Sequence, residues 1–167
     1  MERIIILGCG GAGKSTLARA MGERTGIPVV HLDKIWWRDN WQHISREEFD
    51  ATVQAEVQKP RWIIDGNYSR TIPKRLEACD TAIYLDFPRR QCLAGIFKRF
   101  LTNRGKTRPD MSPNCPEQID WEFFQWVWNF NRDNRPELLE LLKKAEHVRV
   151  IILKNRRQVA AFLNTLR

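Results

Sequence analysis

The stretch Ile4-Ile5-Ile6-Leu7-Gly8-Cys9-Gly10-Gly11-Ala12-Gly13-Lys14-Ser15-Thr16 decides the fold. Four consecutive apolar residues read as a buried strand, and the G-x-x-x-x-G-K-S run from Gly8 to Ser15 sits where that strand turns into a helix. Glycine tolerates positive φ and adds no bulk, so such a loop can close its backbone N–H groups around phosphate oxygens. Nucleotide binding is the leading reading, with Gly8, Gly10, Gly11, Ala12, Gly13, Lys14, Ser15 and Thr16 as its residues. Lys14 would reach the β and γ phosphates, Ser15 would place a hydroxyl on Mg²⁺, and the helix starting near Lys14 would point its positive dipole end at the same anion.

Working outward, short apolar runs recur at Ile4 to Leu7, Val29 to Leu32, Trp62 to Ile64, Ala82 to Leu85 and Val148 to Leu153, separated by longer helix-like segments. That spacing predicts an α/β fold with a five-stranded parallel sheet sandwiched by helices. A first helix is expected from Lys14 to about Arg24, stopping at Gly26, with Pro28 blocking its continuation. A second should begin near Ser45, with Glu48 three residues on completing a capping box, and end before Pro60. The last helix carries Val159, Phe162, Leu163 and Leu166 on one face, a stripe for packing on the sheet. Between about Asn103 and Pro116 the pattern breaks at Gly105, Pro109, Pro113 and Pro116, and this polar, basic segment reads as a mobile lid.

At 167 residues and 43% hydrophobic content, the chain is sized for one domain spanning 1–167. No apolar segment approaches the roughly 20 residues that cross a bilayer, and Glu2 and Arg3 lead straight into the first strand, so a cytoplasmic protein is expected. Cys9, Cys79, Cys92 and Cys115 show neither C-x-x-C pairing nor zinc-like spacing, which favours reduced thiols. A net charge of +8 favours an anionic partner, whether a nucleotide, a phosphorylated metabolite or nucleic acid. Basic residues gather from Arg89 to Arg108 and again from Arg132 to Arg157; the first group reads best as phosphate-binding.

A second constellation follows the strand ends. Asp65 closes Trp62-Ile63-Ile64 on the edge where open α/β sheets bind ligands, and is the expected Mg²⁺ residue, acting through a water. Gly66 allows a close turn, and Arg70 is a candidate cation for an acceptor phosphate or carboxylate. Asp33 closes the preceding strand and would orient or deprotonate an acceptor hydroxyl, while His31 reads as a packing histidine. Trp36, Trp37 and Trp41 follow Asp33; packing is their default, with Trp36 the candidate for stacking on substrate. Trp121, Phe123, Phe124, Trp126, Trp128 and Phe130 crowd a helix after the lid and read as core and neighbour packing.

With these residues placed, the chain resembles P-loop kinases of the adenylate kinase type, and more closely the DNA topology modulation proteins of the FlaR type. The likeness rests on G-C-G-G-A-G-K-S-T-L-A (Gly8 to Ala18), H-L-D-K-I-W-W (His31 to Trp37), W-I-I-D-G-N-Y-S-R-T (Trp62 to Thr71) and Y-L-D-F-P-R (Tyr84 to Arg89). R-G-K-T-R-P-D-M (Arg104 to Met111) and C-P-E (Cys115 to Glu117) complete it. The resemblance implies strand order 2-3-1-4-5, a basic lid and Mg·ATP as phosphoryl donor. It sets Asp65-Gly66 and Arg70-Thr71 against a D-G-x-x-R-T acceptor motif, here with one extra residue. It also places Arg99 at a donor-site arginine position and Gly95 at another, for which Arg132 and Arg135 are candidate replacements on the helix after the lid. The leading expectation is an ATP-dependent small-molecule kinase in which Arg99, Arg104, Arg108, Arg132 and Arg135 neutralise developing charge. Its acceptor would be a nucleoside, a nucleotide or another metabolite. The other is an ATP-gated DNA-binding regulator, although the chain shows no helix-turn-helix pattern and no metal finger.

Overall fold

Parallel strands buried on both faces must be apolar along their whole length, and the runs Ile4 to Leu7, Trp62 to Ile64 and Ala82 to Leu85 meet that demand. β1 (Arg3–Gly8), β2 (Val29–His31), β3 (Trp62–Asp65), β4 (Thr81–Leu85) and β5 (Arg149–Leu153) form one all-parallel sheet in the order β2-β3-β1-β4-β5. The computed structural model describes residues 1–117 and 120–166. Ile4, Ile5, Ile6 and Leu7 of the central strand are fully buried, as are Trp62, Ile63 and Ile64 beside them. Pairing of Ile6 with Asp65 and of Gly8 with Leu85 brings the C-terminal ends of β1, β3 and β4 to one edge, where the site is built.

Helix α1 (Lys14–Thr25) starts directly after the glycine-rich loop and stops at Gly26, whose φ of 65° lets its N–H return to the Gly22 carbonyl at 2.9 Å. The second strand is shorter than expected. It ends at His31, and Leu32 opens a short helix α2 (Leu32–Trp36), so Asp33 lies in a first helical turn, where its charge suits the exposed N–H groups. Ser45 caps α3 (Arg46–Val57) by accepting the Glu48 N–H at 3.0 Å. The other half of the capping box is absent among the described hydrogen bonds; the Glu48 carboxylate pairs with Arg38 at 2.9 Å instead.

The remaining helices are α4 (Ile72–Ala78), α5 (Arg89–Asn103), α6 (Trp121–Asp133), α7 (Arg135–Lys144) and α8 (Arg156–Asn164). The apolar stripe of α8 packs on the core as its spacing predicts. Helix α6 departs from expectation, because packing claims only one of its faces. Val127 and Phe130 are buried, whereas Trp121 and Trp128 are 68% and 45% exposed and lean on Phe124 between them, with ring centroids 5.4 and 6.0 Å away. Among the described residues no helix is long and apolar enough to cross a membrane. All four cysteines are buried free thiols.

The segment after α5 is pinned at both ends by isolated bridges, Arg104 with Glu117 and Thr107 with Pro116. Its middle is fastened to the chain around α2. The Ser112 hydroxyl sits between the Lys34 carbonyl, at 3.0 Å, and that of Trp37, while Asn114 donates to the Asp39 carboxylate at 3.0 Å. Asp110, Met111, Ser112 and Cys115 are buried there, and Arg108, Pro109, Asp110 and Met111 line the cleft.

Helix α5 also meets the glycine-rich loop backbone to backbone. A Cβ on Gly95 would lie 2.0 Å from the Gly11 carbonyl oxygen, a distance no side chain can accept. Gly95→Ala should therefore push α5 off the loop and cost about 2 kcal/mol or more. Urea denaturation would measure this, and an unchanged midpoint would show that the contact constrains nothing.

Candidate functional site

The loop closing β1 owes its shape to residues without side chains. Gly11 (φ 78°) and Gly13 (φ 96°) occupy the left-handed region, turning the backbone around a hollow above the start of α1. The Lys14 ammonium donates to the carbonyls of Gly8 at 2.9 Å and Cys9 at 3.1 Å. Burial pushes its pKa below the ordinary lysine range, while Cys9, Asp33 and Asp65 counter that shift. Among the described residues no carboxylate comes within ion-pair distance of it. Two loop carbonyls leave the third ammonium donor for an anion, which fits a nucleotide's phosphates.

Two residues absent from the sequence reading hold this loop. Asn67 accepts the Gly8 N–H at 3.1 Å and donates to the Gly8 carbonyl at 2.8 Å, so one side chain ties the end of β1 to the turn after β3. That turn is itself fastened from beneath by Arg75, which is fully buried and donates to the carbonyls of Gly66, at 2.9 Å, and Asn67, and to the Thr71 hydroxyl at 3.1 Å. Burial pulls the Arg75 pKa down, yet a guanidinium of this basicity remains charged. Carbonyl oxygens rather than a carboxylate balance it.

Asp65 at the end of β3 and Asp33 in the first turn of α2 both reach a cleft of about 1060 Å³ that also includes Lys14, Ser15 and Thr16. Asp65 is 4% exposed and lies 2.6 Å from His31 Nδ1. His31 is therefore more than the packing residue expected: it and Asp65 are register partners at the ends of β2 and β3, which brings ring and carboxylate together. Asp33 Oδ1 accepts the Tyr68 hydroxyl at 2.8 Å. Burial and the Asp33 charge push the Tyr68 hydroxyl above its ordinary pKa, so it stays a donor. No group of three His, Cys, Asp or Glu side chains among the described residues is placed to hold a metal. Ser15 and Asp65 line the same cleft, and Mg²⁺ commonly takes one or two protein ligands together with substrate phosphates. The donor set fits an ion that arrives with a nucleotide.

Arg19, Arg99 and Arg108 enter the cleft already engaged. Arg99 Nε donates to Glu117 Oε1 at 2.8 Å, with its guanidinium 5.3 Å from the Phe123 ring centroid. Arg108 Nη1 donates to Asp110 Oδ2 at 2.7 Å, and its Nε approaches Glu117 Oε2 to 2.6 Å without the alignment of a hydrogen bond. Arg19 Nη1 reaches Asp110 Oδ1 at 3.3 Å. Burial alone would raise the Asp110 carboxyl; the Arg108 charge and local hydrogen bonds hold it below its ordinary value.

Four arginines of the sequence reading are not brought to this cleft. Arg132 is exposed on α6 and paired with its neighbour Asp133. Arg135, at the start of α7, makes two bonds to the Asp86 carboxylate, at 2.7 and 2.8 Å, just past the end of β4. Arg70 is turned outward by the left-handed Tyr68 (φ 40°) and the 3₁₀ turn Ser69–Thr71, and pairs with Asp50 at 2.9 Å. Arg104 is exposed beyond the end of α5. Trp36 does line the cleft, with Trp37 and Trp41, although its ring is stacked on His43 at 4.8 Å. Lys98 and Arg156 line it as well.

No family model matches the chain. Over 109 residues it is 28% identical to adenylate kinases from Thermotoga neapolitana and Thermotoga petrophila, a stretch covering 64% of this chain and 49% of each relative. The chain thus spans about half the length of the curated relatives it matches. Among solved structures, shikimate kinase from Acinetobacter baumannii in complex with shikimate superposes with a TM-score of 0.64 at 15% identity, covering 99% of this chain and 90% of the other. Shikimate kinase from Bacteroides thetaiotaomicron gives 0.57 at 15% identity (98% and 95% covered), and a gluconokinase from Sinorhizobium meliloti 1021 gives 0.55 at 14% (98% and 92%). At such identities the likeness establishes the shared fold.

The Asp110 contacts carry a sign that can be tested. A carboxyl whose folded pKa lies below the unfolded value, about 3.9, contributes stability above that pH and loses it as pH falls through the lower folded value. Wild type should exceed Asp110→Asn by on the order of 2 kcal/mol in urea at neutral pH, less than for a wholly buried pair because Arg19 is partly solvated. The difference should close below about pH 4. A gap independent of pH would remove the ion pairs as its cause.

Proposed function

We propose that the chain is an ATP-dependent phosphotransferase that moves the γ-phosphoryl group of Mg·ATP onto a hydroxyl of a small molecule. One observation carries this reading: a loop ammonium without a carboxylate partner faces Asp33 and Asp65 across the same cleft. A cation for phosphate and a carboxylate for a hydroxyl thus share one space. Loop N–H groups and Lys14 would bind the phosphates, while Ser15 and Asp65, the latter through a water, would hold Mg²⁺. The ion's contribution when bound is to neutralise phosphate charge. His31 orients the Asp65 carboxylate.

Asp33 Oδ1 is occupied by Tyr68, which leaves Oδ2 to accept the acceptor's hydroxyl proton. The acceptor oxygen bonds to the γ-phosphorus, the bond from that phosphorus to the β,γ-bridging oxygen breaks, and ADP leaves with the electron pair. Arg99, oriented by Glu117, would counter charge on the transferred group. Support comes from the adenylate kinase relatives, from the fold shared with shikimate kinases and a gluconokinase, and from the site geometry. The narrower likeness to DNA topology modulation proteins rests on sequence motifs alone. A DNA-gripping face would need outward cations, and Arg99 and Arg108, central to the basic cluster, turn inward to Glu117.

ADP release from Mg·ATP across nucleosides, nucleotides and other hydroxyl metabolites tests the reading. One acceptor should raise the rate, and Lys14→Ala should lower it by about 10²- to 10³-fold. Tight ATP binding with no acceptor effect would instead favour the nucleotide-gated DNA-binding reading.

A further inference from the structure

We propose that the acceptor is an uncharged ring compound bearing a free hydroxyl, of the sugar or nucleoside class, and not a phosphate or carboxylate. This rests on the phosphotransferase reading. The glycine-rich loop stands at the middle of the cleft, and the two ends differ in charge. The end beside α5 and α8 carries Lys98, Arg99 and Arg156, a setting for a triphosphate. Opposite, beside α2 and the turn after β3, stand Asp33, Asp65, Trp36, Trp37, Trp41 and Tyr68.

Cations at this second end are spoken for. Arg19 and Arg108 both hold Asp110, which is 4% exposed, and Arg108 also lies against Glu117, which is 6% exposed. To bind an anion, either arginine would have to leave a buried carboxylate uncompensated, while the anion itself would face Asp33 and Asp65. Arg70, the sequence's candidate for an acceptor anion, points away and is paired with Asp50. What remains available is neutral. Asp33 Oδ2 can take a hydroxyl proton, and the Trp41 indole Nε1 is buried with no hydrogen-bond partner among the described residues, a donor suited to a hydroxyl or carbonyl oxygen. The tryptophans offer apolar faces to a sugar ring or a base.

Calorimetry with Mg²⁺ and a non-hydrolysable ATP analogue present would compare matched pairs: a sugar against its uronic acid, and a nucleoside against its 3′-monophosphate. The neutral member of one pair should bind at least about tenfold tighter, and Asp110→Asn, by releasing Arg108 and Arg19, should narrow that ratio. Which pair responds distinguishes sugar from nucleoside. Tighter binding of the anionic member, or no binding by any neutral compound, overturns the inference. Turnover is read separately with ATP. Neutral binding without ADP release sinks the phosphotransferase reading but keeps the ligand class, whereas ADP release with anionic acceptors alone keeps the reading and sinks the class.

Discussion

Gly95 and Gly11 touch through their backbones, and much of the site follows from that contact. Without a side chain at either position, α5 settles directly on the glycine-rich loop, and the next turn of the same helix carries Lys98 and Arg99 over the cleft. On the far side Asn67 grips both polar atoms of Gly8. The loop is therefore held from two directions before any ligand arrives, which is the preorganisation that phosphate recognition by backbone N–H groups demands. Arg75 extends the same constraint one layer deeper, since the turn carrying Asn67 depends on its three buried bonds.

Charge is arranged with similar economy. A chain of net charge +8 would be expected to present a strongly positive cleft, yet the segment after α5 brings two buried carboxylates, Asp110 and Glu117, to the arginines gathered there. The segment thus does two things at once. It is fastened to the chain around α2 through Ser112 and Asn114, and it engages the guanidiniums of Arg19, Arg99 and Arg108. Lys14, by contrast, keeps only carbonyl partners among the described residues.

The sheet was legible because its three inner strands are covered on both faces and so read as unbroken apolar runs, while the half-exposed edge strands β2 and β5 are still apolar in sequence. The loop was legible because its backbone demands glycine, and Asp65 because strand ends in such sheets face the ligand edge; Asp33 reaches the cleft from the first turn of α2 and not from the strand end expected of it. Partners across the fold were not. The pairing of His31 with Asp65 depends on β2 lying beside β3 in a particular register, which no local pattern announces. Arg75 looks in sequence like any surface arginine, and its burial depends on a turn whose carbonyls converge on it. Arg132 and Arg135 were assigned by nearness to the lid along the chain, but helical position sent one to solvent and the other to Asp86. The basic lid was read by its cations, while Asp110 and Glu117, fewer in number and decisive in place, were passed over.

The turn Asp65-Gly66-Asn67-Tyr68-Ser69-Arg70-Thr71 decides which side chain stands beside the Asp33 carboxylate. Tyr68 takes a left-handed backbone, uncommon outside glycine and asparagine, and its ring tilts against Phe49 with centroids 4.8 Å apart. That ring contact, the hydroxyl bond to Asp33 and the Arg75 bonds beneath together hold the strained residue in place. The consequence is that Arg70 pairs with Asp50, while a phenol stands beside the carboxylate. For the proposed neutral acceptor, this turn supplies a donor and withholds a cation.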